Sequence, residues 1–402
     1  MTRQCYDVAV VGLGGMGSSI AYHLSGLRLR VVGVDRYSVP HPYGSSHGGS
    51  RLIRLAYFED SSYVPLLRRA YQLWDELQVE AKQQLIFQTG SIDAAPPGHK
   101  LFDGALRSCL EHGLEHEVMD SESLRRRFPG FSLRDDHRIL FQPQGGYVSC
   151  EDTIKAGVRL AERGGVDLLQ AEQVLRIVPA SRGFSLTTTR RTLSVGLVIL
   201  ATGSWLRELA PELQPYLAVE RQVMGWFPPS DAIRSSGLPH PVFNIVTEAG
   251  RFGGIPHQPA DHWKMNLHNH LNEIVEPDHS DRRCSDRDVE AMEEFSRRYL
   301  PHGVGSLVRA STCLYTNTAD ENFIIDWHPS YRDMILVSAC SGHGFKFVPI
   351  VGEIVAQMAQ RQAPTFNLGL FGMSRFLDRH RQPEVPTGRM PELLARRTQE
   401  LR

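Results

Sequence analysis

The first 35 residues constrain this chain most. Asp7–Val11 is a short apolar run, β-branched at Val8, Val10 and Val11, and Val11-Gly12-Leu13-Gly14-Gly15-Met16-Gly17 follows without a break. Ile20, Ala21 and Leu24 then share one face of a helix predicted over Ser18–Gly26, and Leu29–Val34 reads as a second strand closed by Asp35. Strand, glycine turn, helix and strand make a βαβ unit. The spacing G-x-G-x-x-G suits a tight turn at Gly12, close backbone approach to a pyrophosphate at Gly14, and close helix–strand packing at Gly17. The helix N-terminus offers unpaired N–H groups and partial positive charge to phosphates. Asp35, eighteen residues beyond Gly17, is placed to accept hydrogen bonds from a ribose. A dinucleotide site at the head of an α/β chain is the expectation, and ribose recognition alone does not separate FAD from NAD.

Length and charge narrow the class. A chain of 402 residues is much longer than one nucleotide-binding unit and has room for two or three domains. Its 44 Lys+Arg against 45 Asp+Glu leave a formal charge of -1, which supplies no general attraction to nucleic acid or membrane. Recognition of a charged ligand therefore falls to a few local residues. Cys5, Cys109, Cys150, Cys284, Cys313 and Cys340 form no C-x-x-C pair, so neither a metal site nor a disulfide scaffold is expected. No apolar stretch reaches the roughly 20 residues that span a bilayer, and no leader segment is visible. A soluble cytoplasmic protein is expected.

Further along, Leu66, Leu67, Ala70, Leu73, Trp74 and Leu77 predict an amphipathic helix over Tyr63–Ala81, with Pro65 tolerated near its start. Gly145–Val148 reads as a turn leading into a helix over Glu151–Arg163. Val166–Leu169, Ser185–Thr189, Leu197–Ala201 and Met334–Ala339 read as strands, and a helix is predicted from Val348 to about Gln360. Residues 225–280 are broken by Pro, His and Gly and give no clear pattern. Residues 377–402 are polar and Arg-rich, as in a surface tail.

Three clusters could carry chemistry. His41–Arg54 is dense in Gly and Ser, including Ser45 and His47, and ends on Arg51 and Arg54. A small-residue loop lets backbone approach a bulky planar group, and an arginine fork suits a carboxylate or phosphate. The two arginines share a face if the chain turns helically there; a flexible loop with solvated arginines is the simpler reading. Cys313 sits in Ser311–Asp326 and by pattern alone is an idle thiol. Ser341-Gly342-His343-Gly344-Phe345-Lys346-Phe347 joins a strand to a helix, where glycines can aim a helix N-terminus and Lys346 at an anion.

The apolar run Leu197–Leu200 followed by Ala201-Thr202-Gly203 resembles the strand that ends in Ala-Thr-Gly in flavoproteins of the glutathione-reductase type, which favours FAD. Together with the glycine fingerprint, Gly44–Gly48 with Arg51 and Arg54, Cys313–Thr318, Phe323–Asp326 and Ser341–Lys346, it makes the chain resemble the monomeric sarcosine oxidase family of amine oxidases. That family includes N-methyltryptophan oxidase and pipecolate oxidase. The resemblance runs from about residue 6 to 376 and is strongest towards the pipecolate branch around residues 44–60 and 313–329.

It implies a glutathione-reductase-type Rossmann domain for FAD (1–60, 145–215 and 314–376) and a second, α+β sheet-and-helix substrate domain (61–144 and 216–313). It implies that Cys313 carries the flavin through a thioether, that Arg54 and Lys346 hold a substrate carboxylate, and that Arg51 lies beside the ring system. By the same resemblance Lys264 activates molecular oxygen, His268 lies near the substrate amine, and Tyr315 is an active-site aromatic. Gly12, Gly14, Gly17, Asp35, Ser45, His47, Gly342 and Gly344 fall with the cofactor. The implied reaction is oxidation of a secondary-amine amino acid, N-alkyl or cyclic, to an imine with release of hydrogen peroxide, by a monomer.

One position departs. Gly253 stands where relatives place a pocket tyrosine, which predicts a substrate larger than sarcosine unless Phe252 or Trp263 fills the space. Glycated or opine-type (saccharopine-like) amino acids, and a dehydrogenase using another electron acceptor, are the alternatives.

Overall fold

The computed structural model describes residues 4–236, 240–256 and 262–377. Most of the tail expected from residue 377 lies outside them. Strand β1 (Gln4–Val11), helix α1 (Gly15–Ser25) and strand β2 (Val31–Val34) form the predicted βαβ unit, with β1 and β2 parallel. The helix starts at Gly15 rather than Ser18, because Gly17 belongs inside the first turn. A Cβ on Gly17 would lie 1.7 Å from the Gly12 carbonyl oxygen, so only glycine brings helix and turn this close.

β1 lies at the centre of an eight-stranded sheet, between β2 and Thr192–Leu200, both parallel to it. Thr192–Leu200 also runs parallel to Met334–Ser338 and antiparallel to Phe184–Thr188. Buried Val8, Val10, Ile199 and Ile335 on one face meet α1 and helix Val348–Ala359. Burying both faces of this parallel core explains its near-continuous apolar strands. Helix α2 (Tyr63–Ala81) has its predicted span and buries the predicted stripe.

Residues 225–280, unreadable by pattern, supply much of a second eight-stranded sheet. Its order is 309–318, 217–227, 263–267, 250–255, 242–247, 91–95, 138–142 and 117–119. Glycines and prolines interrupt the sequence there, yet the pairing is continuous: Gly253 pairs with Asn244 on one side and Asn266 on the other. Strand 309–318 crosses the expected domain boundary at 313/314 and belongs wholly to this sheet.

The loop after β2 gives one correction. Arg51 and Arg54 do not lie on a helix. Strand β3 (Ser50–Ile53) pairs antiparallel with Gly146–Ser149, a segment expected to be a turn. Tyr147 and Val148 favour a strand, and side chains three apart on a strand point to opposite faces. Arg54 lies just past the strand end, where the chain bends.

Candidate active site

A cavity lies between the two large sheets. Its volume is about 250 Å³, and its mouth is open to solvent. Gly12, Gly14, Gly15 and Met16 line it beside Asp35, with Thr202 at the end of Thr192–Leu200, Ser338 after Met334, and Cys313, Lys264, Arg54 and Lys346.

The first portion fits a dinucleotide. Gly12 has φ +91, and a Cβ there would lie 2.5 Å from the Ala201 oxygen. A Cβ on Gly14 would meet nothing within 4 Å, so the turn offers bare backbone to the cavity. No side chain caps α1, which leaves its first N–H groups available to phosphate. Asp35 accepts from the Leu13 and Tyr37 N–H groups at 2.7 and 2.8 Å, which fixes its carboxylate at the end of β2. Thr202 Oγ1 and Ser338 Oγ are buried polar atoms without a hydrogen-bond partner in the protein, as expected where a polar cofactor supplies one.

The second portion gathers cations. Arg51 donates from Nη1 to the Ser50 oxygen and from Nη2 to the Ser45 oxygen, both at 2.7 Å. Lys264 Nζ donates to the carbonyls of Gly48, at 3.2 Å, and Ser50. Burial, reinforced by Arg51, pushes the Lys264 ammonium down to about 7. His47 is buried nearby without lining the cavity; burial and then Arg51 and Lys264 push it down to about 3, which keeps it neutral. Cys313 lies on strand 309–318 opposite Gln222, 3% exposed, with burial pushing its thiol up.

Lys346 Nζ donates to the His343 oxygen at 2.6 Å, and burial lowers it to about 7. Trp74 Nε1 donates to the Lys346 carbonyl at 3.0 Å and holds the turn in place. Gly342, at φ +73, is the point where this turn meets the second sheet. A Cβ there would lie 2.5 Å from His268 Cε1 and 2.6 Å from Tyr315 Cε2. The His268 and Tyr315 rings are 5.3 Å apart. A Cβ on Gly344 would lie 1.8 Å from the Ala339 oxygen.

Carboxylates not anticipated from the sequence stand behind the arginine. Arg54 is 2% exposed; its Nη2 lies 3.5 Å from Glu59 Oε2 and its Nε 3.6 Å from Asp93 Oδ1. Burial raises Asp93, which also accepts from Asn244 Nδ2 at 2.9 Å. Burial alone would raise Glu59, but the charges of Arg54, His343, Arg251 and Lys346 hold it below the usual carboxylate range. The available signal was Asp93, a lone acid inside the buried strand Ser91–Ala95.

Register explains the wall at Gly253. Asp93, Asn244, Gly253 and Asn266 are paired in turn across four strands, so they form one row on one face of the sheet. Arg251 and Ile255 share that face, whereas Phe252 has the opposite parity. Phe252 stacks on Phe295 at 4.2 Å, and Trp263 packs against Phe131. Both are in the core, and neither lines the cavity. The gap at Gly253 is therefore not filled by either aromatic.

These features are those of a flavin-dependent oxidoreductase. A family model described as FAD dependent oxidoreductase matches residues 7–358. Monomeric sarcosine oxidase of Streptomyces avermitilis is 36% identical over 92% of this chain and 97% of that protein. N-methyl-L-tryptophan oxidase of Salmonella dublin is 33% identical over 92% and 99%. The chain belongs to the FAD-dependent oxidoreductase family. Among solved structures, NikD, "an unusual amino acid oxidase essential for nikkomycin biosynthesis", superposes with a TM-score of 0.82 at 24% identity, covering 92% of this chain and 97% of NikD. Glycine oxidase from Geobacillus kaustophilus gives 0.76 at 20% identity over 93% and 99%, and both show the same fold. No described helix is long and apolar enough to cross a membrane.

Proposed function

We propose that this FAD-dependent amine oxidase oxidises the secondary amine of an amino acid. The observation carrying this is the convergence of Arg54, Lys346, Lys264, His268, Tyr315 and Cys313 on one cavity continuous with the glycine turn. FAD held at this turn would supply the acceptor for a hydride equivalent from the carbon beside the substrate nitrogen, and its reoxidation by oxygen would give hydrogen peroxide.

The chain's own groups do the rest. Lys346 keeps donors beyond its bond to His343, and Arg54 Nε has no hydrogen-bond partner in the protein, so the pair can hold the substrate carboxylate. That anion raises the Lys346 pKa again, so binding and protonation reinforce each other. Held at both groups, the substrate has its amine fixed near His268 and Tyr315, and the carbon–hydrogen bond is presented in one orientation. Lys264, when protonated, places positive charge where negative charge develops on oxygen. The imine departs and hydrolyses.

Cys313 is assigned as the covalent anchor of the flavin. Asp35, Gly12, Gly14, Gly342, Gly344, Ser45 and Arg51 are assigned as its non-covalent contacts, with His47 and Gly17 supporting from behind. The two large sheets are read as two interleaved domains, the second covering the flavin. A monomer in the reducing cytoplasm suits a chain whose six cysteines form no disulfide.

A peroxide-coupled screen of sarcosine, N-alkyl amino acids, pipecolate and proline tests the reaction. Stoichiometric peroxide supports an oxidase, whereas oxidation without peroxide makes the protein a dehydrogenase. For the anchor, acid precipitation should leave the yellow colour in the pellet of the parent and in the supernatant of Cys313→Ser. Colour in both supernatants rejects Cys313.

A further inference from the structure

Arg251 differs from the other cations of the cavity. Arg51, Arg54, Lys264 and Lys346 each spend donors on backbone carbonyls of the chain. Among the described residues no acceptor hydrogen-bonds the Arg251 guanidinium. Its nearest anion is Glu59 Oε1, at 4.0 Å, beyond hydrogen-bonding distance, and Glu59 is already shared with Arg54. The guanidinium is 20% exposed, lines the cavity, and rests over the Phe58 ring at 5.0 Å. Its nitrogens are not sealed off within the protein, so the guanidinium offers its donors to whatever occupies the cavity.

Its surroundings indicate what that ligand carries. Arg251 is two residues from Gly253 on the same strand, so both face the cavity. The missing side chain at Gly253 opens the wall between Asn244 and Asn266, whose side-chain oxygens lie 3.7 and 3.1 Å from where a Cβ would stand. The space is thus floored by amides and bounded by a planar cation. An alkyl or aryl group placed there would desolvate these polar groups without pairing them. A carboxylate would take a bidentate bond from the Arg251 guanidinium.

We propose that Arg251 is a specificity-determining residue that binds a second carboxylate on the substrate, so that the favoured amines are dicarboxylic secondary amino acids. This rests on the reading of the site as an amine oxidase with Arg54 and Lys346 on the first carboxylate. The second carboxylate can sit at the end of the N-substituent or on the α side chain. Both present the same anion to Arg251.

The test compares N-(2-carboxyethyl)glycine with N-propylglycine, and N-methylaspartate with N-methylvaline, by peroxide release from the holoenzyme. A kcat/KM ratio of tenfold or more favouring the acid in either pair is expected, and the pair that shows it identifies where the carboxylate sits. Arg251→Met should collapse that ratio at least tenfold, and Arg251→Lys should restore part of it, whatever general loss either variant carries. A ratio near one in the parent, or one unchanged by Arg251→Met, overturns the proposal while leaving the oxidase reading intact. If no amine is oxidised, that reading fails instead. Arg251 is then judged by binding, with (2-carboxyethylthio)acetate and (propylthio)acetate titrated against the visible spectrum of the bound flavin. Equal affinity for the two thioethers rejects the second-carboxylate site.

Discussion

Replacing Lys264 by Met should stabilise the protein at neutral pH and destabilise it in alkali. The Lys264 ammonium falls from its ordinary 10.5 in the unfolded chain to about 7 in the folded one, because burial and Arg51 both oppose its charge. The unfolded chain therefore binds the extra proton between these values. The side chain's contribution to stability is fully present above 10.5 and is lost as pH falls towards 7. At about 1.36 kcal/mol per pH unit the full loss is about 5 kcal/mol. Met keeps the apolar stem but forfeits the bonds to Gly48 and Ser50, at about 1 kcal/mol each. The balance is a gain of about 3 kcal/mol for the variant near pH 6.5 and a loss of about 1 kcal/mol near pH 10, with a crossing at about pH 9. Urea unfolding of parent and variant holoenzyme at the two pH values, at one ionic strength, measures the difference. A stability difference of the same sign and size at both values would show that Lys264 keeps its proton throughout, and the argument from burial would fail. The same variant should be reoxidised by oxygen more slowly in stopped flow, so the stability gained is set against activity.

Removing Arg54 strands Asp93. Arg54→Met should lose about 3–5 kcal/mol of stability, as expected when one partner of a buried ion pair is removed. Adding Asp93→Asn should recover most of that stability without recovering KM; thermal unfolding and steady-state kinetics of the single and double variants separate the two effects. Gly17→Ala forces a methyl against the Gly12 oxygen, so it should part α1 from the turn. A loss above about 2 kcal/mol is expected, with weaker retention of the nucleotide. Unchanged thermal stability together with a full flavin spectrum would contradict the close packing assigned to Gly17.

The sequence revealed most where local rules act on local structure. The turn at Gly12–Gly17 and the stripe of α2 need only a period or a spacing, and both are visible in single stretches of chain. The second sheet was hidden for a physical reason. Its strands alternate faces, so a polar row such as Asn244, Gly253 and Asn266 breaks the apolar pattern while the pairing continues unbroken. Glu59, Asp93 and Arg251 were missed because their meaning is relational. Asp93 reads as an oddity in a buried strand until Arg54, brought in from another element, lies 3.6 Å away. The site roles expected of Arg51 and Arg54 come from the resemblance and not from local pattern, which left helix and loop open where the chain forms a strand held by Gly146–Ser149.

The placement of β1 also has a consequence for synthesis. The first strand made is clasped by residues 192–200, and those in turn by 334–338. The nucleotide turn at Gly12 therefore emerges well before residues 334–338, without which it cannot be walled in. At about 5–20 residues per second the ribosome needs tens of seconds to deliver the missing neighbours. Until residues 192–200 arrive β1 is an apolar strand with an open edge, and until 334–338 arrive the edge of 192–200 is open in its place, which is an aggregation hazard. Loading of the cofactor must wait for residues 334–338, and truncations that remove them should yield aggregates rather than a smaller folded nucleotide-binding unit.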